Sequence, residues 1–205
     1  MNPMKAVTVL RYFAICLVTI SLASCGRSTT CQLEIDPAGA AAEAMSQLDT
    51  NSDGTLDEEE LTKSALSLGL WDANQDSGIT SDEVEARLNQ FVAAEIGLTA
   101  ARCSVTLDRE PLVGATIVFE PESFMGDGVQ QSTGITGSDG MTVMSIADDF
   151  LPQPNMKGIQ PGLYLVRITH PEINLAEEYN SATTLTYECS PVDTLPSPSF
   201  DLSKK

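Results

Sequence analysis

At 205 residues the chain has room for one ordinary domain or two small ones. Its 29 acidic residues against 11 basic ones give a formal charge of −18, which argues against nucleic acid and anionic bilayer surface as partners and makes multivalent cations the complementary ones. Apolar residues make up 42%, enough for a packed core, and a single histidine, His170, removes most histidine-based catalysis and multi-histidine metal sites.

The first residues carry Lys5 and Arg11, followed by an uncharged run over 12–23. Such a run is too short to span a bilayer, which takes about 20 residues. It has the form of a signal-peptide core behind a positively charged start. The run closes on Leu22-Ala23-Ser24-Cys25, with Gly26 after it. These residues resemble the bacterial lipobox. The resemblance implies removal of residues 1–24 and a diacylglyceryl group on the Cys25 sulfur, with residues 25–36 as a lipidated tether. Each buried methylene adds about 0.8 kcal/mol, so several acyl chains make such an anchor effectively permanent. An ordinary secretory signal would equally take the chain out of the cytoplasm.

Residues 49–60 read Asp-Thr-Asn-Ser-Asp-Gly-Thr-Leu-Asp-Glu-Glu-Glu, matching D-x-[DN]-x-[DN]-G-x5-E at every specified position. Asp49, Asn51 and Asp53 offer oxygens at alternate residues of a curling loop. Gly54 supplies the positive φ that keeps it curling, Thr55 its carbonyl, Asp57 a direct or water-relayed oxygen, and Glu60 two closing oxygens. Residues 72–83 repeat the pattern with Asp72, Asn74, Asp76, the Gly78 carbonyl, Thr80 and Glu83. Here the sixth position is Ser77, with the glycine one residue later. Ser77 must then take the positive φ, at a cost of about 1 kcal/mol or more, so the second loop is expected to bind more weakly. Leu56 and Ile79 are expected to point inward and pair.

Over residues 38–95 these motifs resemble the EF-hand family, which implies Ca2+ as the ligand. Asp36-Pro37 is a helix start with Ala41, Met45 and Leu48 on one face, and Val84, Leu88 and Phe91 fall on one face of a last helix. Only residues 61–71 separate the loops, and Leu61, Ala65 and Leu68 there have helical spacing. One helix is therefore expected to serve both loops, as in dockerin-like and other compact bacterial calcium modules. Residues 31–96 hold 15 acidic and two basic residues, a self-repulsion that cations would relieve.

After Ala101 the pattern changes to short β runs at 103–108, 115–120, 129–136, 141–146, 163–169, 183–189 and 199–202. Alternation is clearest in Leu163, Leu165, Arg167 and Thr169 against Tyr164, Val166 and Ile168, and Ser138-Asp139-Gly140 is a hairpin signal. The expected fold class is thus α+β in two modules: a compact helical EF-hand pair over 37–96, then a seven-stranded antiparallel β-sandwich over 98–205. The run from Leu107 to Pro121, with Thr133-Gly134-Ile135-Thr136-Gly137-Ser138-Asp139-Gly140 and the run from Pro161 to Ile168, resembles the carboxypeptidase-regulatory-like domain. That resemblance implies a prealbumin-like sandwich and no chemistry. The order of lipobox, calcium loops and sandwich is similar to a family of planctomycete lipoproteins of unassigned activity.

Three cysteines remain beyond the lipidation residue, Cys31, Cys103 and Cys189, which allow three single bridges. Cys103–Cys189 is favoured because both lie in strand-like runs; the other reading is buried free thiols. His170 stands before Pro171, and no nucleophile elbow or zinc-protease helix accompanies it, so no catalysis is expected. The sequence therefore points to an exported, membrane-anchored envelope protein in which calcium stabilises the helical part. The alternative is a dockerin-like, calcium-dependent protein-binding module, which an exposed apolar patch over 61–71 and 84–92 would favour.

Overall fold

Pro37 presets the φ of a first helical turn, and the first helix, α1, runs Pro37–Leu48 behind Asp36. The computed structural model describes residues 32–204; the expected leader 1–24, Cys25 and Cys31 lie outside that range. Asp36 makes no side-chain cap bond, and the first turn is held by the Ala40 N–H donating to the Asp36 carbonyl at 2.8 Å. α1 buries Ala40, Ala41 and Ala44, small residues that let it lie against α3 (Ser81–Ala93). α3 in turn buries Val84, Leu88 and Phe91, the face its spacing predicts. A capping box starts it: the Thr80 hydroxyl accepts from the Glu83 N–H, and the Glu83 carboxylate accepts from the Thr80 N–H.

The single helix expected over 61–71 is not formed. A short 3-10 turn at Glu60–Lys63 ends at Ser64, which is extended (φ −116°, ψ 154°), and a second short helix, α2, covers only Leu68–Trp71. Serines at 64 and 67 and Gly69 are poor helix formers. The break is also satisfied from outside: the Ala65 N–H donates to Glu122 at 2.7 Å, and the Leu66 N–H to the Ser64 hydroxyl at 3.2 Å. Breaking the helix lets Leu61, Ala65, Leu66 and Trp71 all be buried, which one continuous helical face would not. Between the helices lie two short strands, β1 (Thr55–Leu56) and β2 (Ile79–Thr80), paired antiparallel with Leu56 opposite Ile79. Both side chains are fully buried.

The second half is one curled, sandwich-like sheet. Its strands are β3 (Ala101–Leu107), β4 (Glu110–Pro111), β5 (Thr116–Pro121), β6 (Ser132–Ile135), β7 (Met141–Ile146), β8 (Gly162–Thr169), β9 (Thr186–Cys189) and β10 (Ser199–Leu202). The path runs β10-β3-β7-β6-β5-β8-β9, with β4 hairpinned onto β3. All pairs are antiparallel except β10 with β3, which is parallel because the chain leaving β9 crosses to the far edge before returning. The sheet curls at β7, whose first four residues pair with β3 and whose last two pair with β6. All seven expected strands are present, and β4 is an addition. It exists because Asp108 and Arg109 both take positive φ (52° and 71°), the backbone of a two-residue turn that matches strand twist.

One buried apolar cluster extends through both halves, from Ala40 and Trp71 to Phe119, Tyr164 and Leu202. Residues 32–36, expected as the end of a tether, lie along the fold. Leu33 and Ile35 pack on the core, and the Glu34 carbonyl passes so close to Gly128 that any side chain there would collide with it. No helix among the described residues is long and apolar enough to cross a membrane.

Candidate metal centre

The two acidic loops are wired alike, position for position. In the first, the Gly54 N–H donates to Asp49 Oδ2 at 3.0 Å, the Asp53 N–H to Asn51 Oδ1 at 2.8 Å, and the Thr55 N–H to Asp53 Oδ1 at 2.9 Å. In the second, Ser77 donates to Asp72 Oδ2 at 2.9 Å, Asp76 to Asn74 Oδ1 at 2.8 Å, and Gly78 to Asp76 Oδ1 at 3.1 Å. Each closing glutamate folds back across its loop. Glu60 accepts from the N–H groups of Thr50, Asn51 and Asp57, and Glu83 from those of Ala73, Asn74 and Thr80. Asp57 Oδ1 accepts from the Glu59 and Glu60 N–H groups, capping the turn that follows.

The backbone repeats as well. Positive φ falls at Ser52 and Gly54 in the first loop and at Gln75 and Ser77 in the second, where Ser77 has φ 73°. Gly78 has a separate reason to be glycine: a Cβ there would lie 3.1 Å from that of Thr55 across the β1–β2 pair.

The hydrogen bonds set the electrostatics. Asp53 is held below the usual carboxylate range, first by the Thr55 hydroxyl and then by the Thr55 N–H. Burial would raise Glu60 and Glu83, but the N–H groups crowding each carboxylate outweigh it and both are lowered. All twelve expected ligand residues therefore lie on two matching loops joined by a strand pair. No group of three or more His, Cys, Asp or Glu side chains stands assembled as a metal cage among the described residues. The loop carboxylates are instead turned onto backbone N–H groups.

The loops differ at the second oxygen of their first carboxylate. Asp72 Oδ1 accepts from the Gln75 and Asp76 N–H groups at 2.7 and 3.2 Å. Asp49 Oδ1 is buried and has no hydrogen-bond partner. A buried carboxylate oxygen without a donor is costly, and a hard cation on that oxygen would satisfy it. The oxygen-only donor set suits calcium for the same reason, so the residues of the first loop fit the ion.

Other expected sites resolve differently. Cys103 and Cys189 are buried free thiols and form no disulfide. Cys103 pairs across to Thr142 on β7 and Cys189 to Gly162 on β8, so strand-like character did not make them neighbours in a ladder. Burial pushes each thiol up to about 12. His170 Nδ1 accepts from the Glu172 and Ile173 N–H groups, so Nε2 carries the proton and donates to the Val113 carbonyl at 2.9 Å. These are backbone partners, and the ring pins a loop.

Three residues that sequence reasoning passed over join the halves: Glu122, Glu188 and Arg87. Glu188 accepts from Trp71 Nε1–H and from Arg87, and is 7% exposed. An acid at an inward-facing strand position was the only available signal. No family model matches the chain, and no curated protein or solved structure is significantly similar to it.

Proposed function

We propose that the chain is a calcium-stabilised, lipid-anchored protein of the cell envelope with a structural role, in which the helical half is an EF-hand-like pair that braces a prealbumin-like sandwich. Calcium would be held by Asp49, Asn51, Asp53, the Thr55 carbonyl, Asp57 and Glu60 in the first loop. Asp72, Asn74, Asp76, the Gly78 carbonyl, Thr80 and Glu83 would hold it in the second. The observation that carries the reading is the matching backbone N–H wiring of the two loops, with Asp49 Oδ1 left buried and unpartnered in one of them. When bound, the ion supplies charge that offsets the repulsion among the acids of this half.

A bracing role is supported by the burial of Trp71 and Phe91, 1% and 0% exposed, in the core that both halves share. The docking alternative has less behind it, because the larger apolar side chains exposed on these elements reduce to Leu70 and Val92. Export and anchoring rest on the leader and Cys25. Cys25→Ser is expected to release the chain from membranes, and continued membrane association in that variant counts against the anchor.

Calorimetric titration of calcium into the metal-free chain tests the core of the reading. Two sites of unequal affinity are expected, in the range of about 10⁻⁴–10⁻³ M usual for extracellular modules, with the first loop the tighter. No saturable uptake at roughly tenfold above that range refutes it.

A further inference from the structure

The segments leading into and out of the second loop end on one carboxylate of the sheet. Trp71 immediately precedes Asp72, and its Nε1–H donates to Glu188 Oε2 at 2.9 Å. Arg87 lies one helical turn beyond Glu83 on α3, and its Nη2 donates to Glu188 Oε1 at 2.7 Å and to Asp193 Oδ2 at 2.6 Å. The guanidinium also sits 5.1 Å from the centre of the Trp71 ring and 5.7 Å from that of Phe91. Glu188 can satisfy both donors only while Trp71 and the first turns of α3 keep their present spacing. That spacing is set across the loop by Glu83, which accepts from Ala73 and Asn74 at the loop's start and from Thr80 at its end.

Glu188 belongs to β9, a four-residue strand that ends the sheet path and pairs only with β8. Short edge strands are the first parts of a sheet to open, so a tie at this point changes local stability more than one in a central strand. We propose that Glu188 couples calcium at the second loop to the closure of β9. This rests on the calcium reading above. Filling the loop fixes the Trp71-to-α3 spacing, the spacing holds Glu188 between its two donors, and Glu188 holds β9 against β8. Coupling is reciprocal, so loss of the Glu188 tie must weaken calcium at the second loop by the factor through which calcium protects β9.

The test combines calcium titration with hydrogen exchange at the amides of Thr186–Cys189, using the full chain in its wild-type, Glu188→Gln and Trp71→Phe forms. In the wild type, calcium is expected to slow exchange at these amides about fivefold or more. Glu188→Gln is expected to abolish that slowing while both loops still bind, raising the weaker Kd by the same factor and leaving the tighter one nearly unchanged. Trp71→Phe removes the donated N–H together with part of a buried ring, and its calcium protection of β9 is expected to fall between the two, which keeps the test usable if Glu188→Gln does not fold. Equal calcium protection of β9 in wild type and variants overturns the coupling, as does the absence of protection in a wild-type chain that binds two ions. A wild-type chain that takes up no calcium refutes the calcium reading itself, and the coupling with it.

Discussion

Removing the Asp49 carboxylate separates a calcium ligand from an ordinary loop acid, because the two roles differ in what happens without metal. Asp49→Ala deletes the acceptor for the Gly54 N–H, a bond at an exposed edge worth about 1 kcal/mol. It also deletes Oδ1, an oxygen buried without a partner, whose burial costs about 1–3 kcal/mol. These effects oppose each other, so the metal-free melting temperature is expected to stay within a few degrees of wild type. In calcium the outcome differs. At ten times Kd, one site contributes RT ln 11, about 1.4 kcal/mol. A chain of this size shifts about 2–4 °C per kcal/mol, so the first loop accounts for roughly 3–6 °C of the calcium-dependent rise. Scanning calorimetry of wild type and Asp49→Ala, each in chelator and in calcium, reads all four quantities. An undiminished calcium increment in the variant refutes the assignment of Asp49. A fall in the metal-free value as large as the missing increment reassigns it as a purely structural residue.

Glu122, raised chiefly by its burial, gives a second test. Because its folded value lies above the unfolded one, the folded chain holds the proton more tightly, and stability falls as pH rises through the folded value. Glu122→Gln keeps an oxygen for the Ala65 N–H and is expected to be neutral or stabilising near pH 7 without that pH-dependent fall, whereas Glu122→Ala orphans the buried N–H and costs about 1–3 kcal/mol. Urea unfolding across pH measures both, and equal losses in the two variants dismiss the buried-charge argument. The thiols of Cys103 and Cys189, pushed up to about 12 by burial, are expected to react with a thiol reagent only after denaturant is added. Rapid labelling of either in the folded chain contradicts their burial.

What could be seen in the sequence was what neighbouring residues decide among themselves. A strand's in-and-out alternation is local: Tyr164, Val166 and Ile168 are buried while Thr169 is exposed, as their spacing predicts, but Leu163, of the outward set, is buried as well where both faces of the strand's start are covered. A loop that wraps its own side chains is also local, so Ser77 takes the positive φ its position demands. The connection over 61–71 is different. Leu61, Ala65 and Leu68 have helical spacing, yet the break at Ser64 is stabilised by Glu122, 57 residues beyond Ala65. Trp71 is apolar enough to be buried on its own account, but its polar partner Glu188 is 117 residues away. The two cysteines fail as a pair for the same reason, since strand propensity says nothing about which strands become neighbours.

The misplaced glycine of the second loop combines both kinds of constraint. Local backbone geometry asks for glycine at 77, where φ is 73°. The partner loop asks for it at 78, where a Cβ would press within 3.1 Å of Thr55. The loop's glycine stands at the position that faces its partner. Strain of about 1 kcal/mol is left on Ser77, in the loop whose Asp72 oxygens are already engaged by backbone N–H groups. The first loop has its glycine at the sixth position and an unpartnered oxygen on Asp49, so it carries neither burden. The packing of the loops through Leu56 and Ile79 thus takes up the glycine at 78, and the loop expected to bind more weakly is the one whose flanks are tied to the edge of the sheet.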